Sequence, residues 1–247
     1  MSDPLREHKL QFQPPERGSA AKWPVVLYFH HVNPAIKHYT AVSPEVFEAA
    51  LVLLKQHFRP LSPTSFVEVA ESGGTVEPAC LVTFDDGYAD VYEFALPILE
   101  RHGWKTVMFV STDLVGQTED HPVRGPLRHM TWGQLRDVED AGHVIASHGA
   151  SHASFGQLSA DAVQAEVDSA RAALSQCVRN PRDWLAFPFG DLPTTNDAAL
   201  PEYCFGSVKS DARPWDESPQ EIRRTYLPAD DVGRWSNCVL SWKRGWE

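Results

Sequence analysis

Short, nearly continuous apolar runs recur along the chain: VVLYFH (25–30), LVTFDD (81–86), TVMFVS (106–111), VIASH (144–148), WLAFPF (184–189) and CFGSVKS (204–210). Runs of this kind predict parallel strands buried on both faces. The stretches between them carry apolar residues at helical spacing. Ser43 and Pro44 supply an N-cap and an N1 proline for EVFEAALVLLKQHF. Asp90 is expected to cap VYEFALPILERH, which Gly103 ends. Thr131 and Gln134 predict a capping box, and Ser159 opens a long helix to about Cys177. Val232, Trp235, Val239, Trp242 and Trp246 fall on one face of a tail helix that Asp230 and Asp231 can cap. Its plain role is to close the structure, and a dimer contact or sugar-stacking surface is the sharper alternative. Strand and helix alternate, which predicts an α/β fold with a parallel sheet or barrel. With no repeat or low-complexity linker, one domain over residues 24–247 follows, after a polar, flexible lead-in over 1–23.

Composition narrows the partners. The 247 residues are 43% hydrophobic, enough for a sizeable core. A net charge of −11 argues against nucleic acid or anionic membrane as the main partner. No apolar run reaches the ~18 residues of a membrane span. The lead-in has no apolar signal core, so the expected compartment is the cytoplasm. Cys80, Cys177, Cys204 and Cys238 show no CxxC spacing, and free thiols are the expectation. No oligomeric state can be read.

The candidate chemistry sits where strands end: Asp85-Asp86-Gly87, Ser147-His148 and Pro188-Phe189-Gly190. Barrel enzymes build their sites at the C-terminal ends of strands. In SHGASH (147–152), His148 and His152 share one face if the chain turns helically there. Two imidazoles and a carboxylate make a facial metal site with open positions. Alone, such a histidine pair reads as surface, and two aspartates before a helix read as a turn or cap. Their occurrence together favours the metal reading. His143 is expected to be structural, and His38, His57, His102, His121 and His129 to be surface or loop residues.

TFDDGY (83–88), SHGASH (147–152) and FPFG (187–190) resemble the first three motifs of the polysaccharide deacetylases, the NodB-homology or carbohydrate esterase family 4 proteins. The likeness extends over roughly residues 24–230. It implies a distorted, incomplete (β/α) barrel that hydrolyses an N-acyl group, usually acetyl, from an amino sugar in a saccharide or glycoconjugate. It assigns Asp85 as general base and Asp86, His148 and His152 as ligands of one divalent metal. Zinc is the first expectation, and the set also suits cobalt, nickel, iron or manganese. Substrate and oxyanion would meet Pro188, Phe189 and Gly190, with a backbone amide near Phe189 as donor.

Two positions depart from the common family pattern. No histidine follows His152 to act as the acid, and Ala186 stands where the third motif usually has arginine. Both departures match a subgroup resembling the poly-N-acetylglucosamine deacetylases. In that subgroup, a histidine at the end of an N-terminal strand is the acid. In YFHHV (28–32) that residue is His30, with His31 as the alternative. SDARPW (210–215) vaguely resembles a fourth motif, making Asp211 and Trp215 candidate wall residues. Arg223 or Arg224 is a candidate partner for a site carboxylate. The expected substrate is a nucleotide-linked or lipid-linked saccharide. A deformylase, a cyclic imide or ureide hydrolase and an inactive saccharide-binding protein are the alternatives.

Overall fold

The computed structural model describes residues 22–36, 41–194, 199–229 and 231–246. Most of the expected lead-in, His38 and the Asp230 cap lie outside them. The strands are β1 (Val25–Phe29), β2 (His31–Val32), β3 (Ala41–Val42), β4 (Arg59–Pro60), β5 (Ala79–Phe84), β6 (Val107–Val110), β7 (Thr118–His121), β8 (Gly125–Arg128), β9 (Val144–Ser147), β10 (Trp184–Ala186) and β11 (Tyr203–Phe205). The helices are α1 (Pro44–His57), α2 (Pro63–Glu71), α3 (Leu96–His102), α4 (Trp132–Asp140), α5 (Ala160–Cys177) and α6 (Trp235–Lys243).

A curled, parallel sheet runs in the order β1-β5-β6-β9-β10-β11, with β4 paired to the start of β5. The two outer strands of that order are joined by residues 222–225. Ile222 exchanges backbone hydrogen bonds with Cys204 and Gly206 beside β11, and Thr225 does so with Val26 and Tyr28 of β1. The curl thus closes through an irregular segment, giving the expected distorted, incomplete barrel.

Strand parity divides the core. Val25, Leu27, Phe29, Cys80, Val82, Phe84, Met108, Val110 and Ile145 face outward and bury against α1, α3, α4 and α6. Val26, Leu81, Val107, Phe109, Ala146, Ala186 and Phe205 form a separate inner cluster. α5 covers β10 and β11 through Val163 and Val167. The tail behaves as a closing helix: Trp235, Val239 and Trp242 are buried in the outer cluster, whereas Val232 is exposed.

Ser43, Ser159 and the Thr131–Gln134 box cap their helices as expected, and Gly103 ends α3 with φ 69°. Asp90 does not cap. Residues 91–95 form a π-helical turn just before Pro97, which has no N–H to continue the ladder. The Asp90 carboxylate binds His31 and Asn33 instead. Asp231 likewise makes no side-chain cap. α2 has no counterpart in the strand and helix pattern read from the sequence. Its Phe66 enters the inner cluster against Trp184, Tyr203, Phe205 and Trp215.

Candidate functional site

The inward parity that packs Val26 and Leu81 continues, two residues at a time, through Tyr28 to His30 and through Thr83 to Asp85. Ala146 leads in the same way to His148. Three chemically active side chains therefore emerge together at the C-terminal mouth of the curl. Asp86 has the opposite parity. It reaches the same place because its backbone turns left-handed, φ 69°, as the chain leaves β5. Gly87 follows, also at positive φ, where a Cβ would lie 2.8 Å from Val110 Cγ1.

Asp86, His148 and His152 each offer a ligand atom, and these atoms lie within 4.8 Å of one another. Asp86 Oδ1 stands 3.2 Å from His148 Nε2 and 3.1 Å from His152 Nε2. That oxygen is buried and accepts no hydrogen bond of ordinary geometry. His148 donates from Nδ1 to the Ala186 carbonyl at 2.8 Å, which leaves its Nε2 lone pair facing Asp86. The donors and their orientation fit a divalent cation. Burial pushes the Asp86 carboxyl upward, but His148, His152 and His30 outweigh it and hold the group well below the usual carboxylate range.

Asp85 is 3% exposed and has a different partner. Arg224 donates to both its oxygens, from Nη1 at 2.6 Å and Nη2 at 2.8 Å. The guanidinium is itself fixed by the Gly206 carbonyl and Thr83 Oγ1, and lies over the rings of Tyr28 and Phe109. Burial raises the Asp85 pKa, but Arg224, His148 and His30 together bring it below its ordinary value. Arg224 lies in the segment that closes the curl.

The two candidate acids separate cleanly. His30 lines a cleft with Tyr28, Val42 and Tyr226. Burial lowers its pKa, opposed by its proximity to Asp86 and Asp85. His31 is 1% exposed and turned the other way. Its Nδ1 lies 2.8 Å from Asp90 Oδ2, and Arg124 Nη1 donates to its Nε2 at 3.1 Å. With both nitrogens engaged and its ring stacked on Tyr88 at 3.9 Å, His31 is a packed bridge to the β7–β8 hairpin.

Phe189 occupies the left-handed region, φ 61°, with its ring against His152 at 4.7 Å and 57% of its surface exposed. Asp86, His152 and Phe189 are the non-glycine residues with positive φ among the described residues. Each such conformation costs roughly 1–3 kcal/mol, and all three border one site. Pro188 and Gly190 complete the turn. Gly190 also has positive φ, and a Cβ there would collide with Ser207.

The structure does not bring Asp211 or Trp215 to this site. Asp211 is exposed and pairs with Arg213. The Trp215 indole is buried against Phe66 and Trp23, at the end where the strands begin. His129 is a correction of the opposite kind. Expected as a surface or loop residue, it lies in the connection between β8 and α4 but is 5% exposed, and its Nδ1 lies 2.9 Å from the Asp86 carbonyl. Its ring packs on Tyr88 at 4.8 Å. His143 is structural, as expected, with Nδ1 accepting from the Thr106 amide.

A curled parallel sheet with paired aspartates and histidines at its C-terminal mouth has the layout of barrel enzymes, which build their sites at that end of the strands. Residues 72–203, more than half of the chain, match the family described as polysaccharide deacetylase, and the chain belongs to that family. Among curated proteins, it is 25% identical over 172 residues to YxkH of Bacillus subtilis, covering 69% of this chain and 57% of that protein. It is 24% identical over 181 residues to a poly-beta-1,6-N-acetyl-D-glucosamine N-deacetylase of Staphylococcus aureus, covering 71% and 61%. The chain therefore spans about three-fifths of the length of these relatives. Two solved structures share the fold. IcaB from Ammonifex degensii has a TM-score of 0.70 at 21% identity, over 88% of this chain and 97% of that one. PplD of Streptococcus pyogenes, in complex with acetate, has 0.71 at 18%, over 90% and 99%. No helix among the described residues is long and apolar enough to cross a membrane.

Proposed function

We propose that this protein is a metal-dependent N-deacetylase of N-acetylated amino-sugar saccharides. The observation that carries the reading is the division of labour between adjacent aspartates. Asp86 faces two imidazole nitrogens, while Asp85 is held by Arg224. Family membership and the substrate in the Staphylococcus aureus relative's name support an N-acetylglucosamine polymer or oligomer as the substrate class.

Asp86, His148 and His152 hold the metal, with zinc the first choice for this donor set. When bound, a divalent metal polarises the acyl carbonyl and makes coordinated water acidic near neutral pH. Asp85, kept ionised and oriented by Arg224, takes the proton of the attacking water. The Phe189 N–H donates to the oxygen on which negative charge develops, a contribution of roughly 3 kcal/mol in comparable sites. His30 protonates the departing amine, which would otherwise be too basic to leave. A buried imidazole whose pKa is lowered gives up its proton readily once charged.

Acetate release from zinc-loaded protein tests this reading, with β-1,6-linked N-acetylglucosamine oligomers set beside an activated acetate ester. Asp85→Asn is expected to lower both rates by roughly 100- to 10,000-fold. His30→Ala is expected to abolish amide hydrolysis but spare the ester, whose phenolate leaves without a proton. Equal losses on both substrates overturn the role of His30. Turnover of N-formyl sugars or cyclic imides, with the acetylated oligomers untouched, overturns the substrate class.

A further inference from the structure

His152 must hold a left-handed backbone, φ 65°, in a half-buried loop while keeping Nε2 3.1 Å from Asp86. The support for that loop comes from α5. Glu166 Oε2 accepts hydrogen bonds from the amides of Ala150 at 2.8 Å and Ser151 at 2.9 Å. Its other oxygen accepts from the Ser151 hydroxyl at 2.6 Å. The carbonyls on the other side of the loop are tied as well. Thr112 N–H donates to Gly149 and Asp113 N–H to Ala150. A Cβ on Gly149 would lie 3.1 Å from Glu166 Oε2 and 3.3 Å from Phe155, so the glycine admits the carboxylate to the backbone. α5 is fixed in turn by Val163 and Val167, buried against Leu185 and Phe187.

Every polar group of the turn between His148 and His152 that Glu166 touches is a donor, and the carboxylate is an acceptor for three of them at once. We propose that Glu166 is a positioning residue for metal binding. It fixes the Ala150–Ser151 backbone so that the strained His152 presents its imidazole beside His148 and Asp86. The inference rests on the reading of those three residues as the metal ligands.

Zinc affinity, measured by competition with a chromophoric chelator on protein shown by circular dichroism to be folded, tests it without recourse to activity. Glu166→Ala is expected to weaken zinc binding roughly 10- to 100-fold, the usual effect of removing support behind a metal ligand. Glu166→Gln keeps one oxygen for the two amides and is expected to stay within about three-fold of wild type. If Glu166→Ala does not fold, Glu166→Asp carries the same test, because its shorter arm cannot span both amides and Ser151. Binding by Glu166→Ala, or by Glu166→Asp in its place, within about two-fold of wild type overturns the positioning role. Equal weakening by Glu166→Gln and Glu166→Ala also overturns it. Wild-type protein that binds no zinc, cobalt or nickel overturns the ligand reading itself, a result distinct from either.

Discussion

Asp85 and Asp86 are neighbours in sequence with opposite surroundings, and the contrast sets how each should respond to substitution. The Asp85–Arg224 pair is buried and doubly hydrogen-bonded. Removing one partner strands the other charge out of water, which costs about 3–5 kcal/mol. Arg224→Met is therefore expected to destabilise the fold by about that amount in urea denaturation. Adding Asp85→Asn should recover at least about 1 kcal/mol, since no charge is then left unpaired. Additive losses in the double variant would contradict the pairing. The aspartates themselves were legible in the sequence as a pair before a glycine, and their separate roles came from family resemblance. Arg224 was only one of two arginine candidates. No periodicity connects residues 139 positions apart, and its selection required the geometry of the closing segment. Glu166 was illegible for a similar reason. On a helix whose other polar residues are Asp, Gln, Ser and Arg, it reads as a solvated side chain until the loop beside it is placed.

At the scale of elements, strand parity explains why His30 and His31 part company and why Asp86 must turn left-handed to reach the mouth. Strands β1, β5, β6, β9, β10 and β11 and four principal helices were legible because their apolar periods are strong, and three of those helices start at the caps expected for them. α2, the two-residue strands β2, β3 and β4, and the β7–β8 hairpin were not: the first four are short, and the hairpin is mostly exposed and polar. His143, where α4 hands over to β9, has a measurable consequence. Burial, and after it the nearby Lys105 charge, lowers its pKa from 6.5 to about 4; Nδ1 accepts from the Thr106 amide, and Nε2 is buried without a partner. The folded state thus binds fewer protons than the unfolded one between these values. Its contribution is complete above pH 6.5 and is lost as pH falls toward about 4, a total of roughly 3 kcal/mol. Metal-free His143→Gln is expected to lose less stability than wild type between pH 7 and pH 5. Parallel pH dependence in the two proteins, by thermal or urea unfolding, would contradict this assignment.

Over the whole molecule, one design principle links fold and chemistry. The curl gathers inward residues of β1, β5 and β9 at one mouth, and the segment that closes it carries the arginine that orients Asp85. The outer cluster is roofed by α1, α3, α4 and α6, and the strained residues Asp86, His152 and Phe189 lie just beyond the strand ends. Fold class was legible from alternating strands and helices, while closure by residues 222–225 was not. That segment is too short and irregular to carry a strand's pattern. In the proposed mechanism, hydrolysis depends on a metal held by Asp86, His148 and His152. Acetate release from N-acetylglucosamine oligomers should be followed with the protein as purified, after stripping with a chelator, and after reloading with zinc. The predicted result is a fall of about two to three orders of magnitude on stripping and recovery on reloading, with no recovery in Asp86→Ala. Full activity in protein shown to be free of metal would contradict the account.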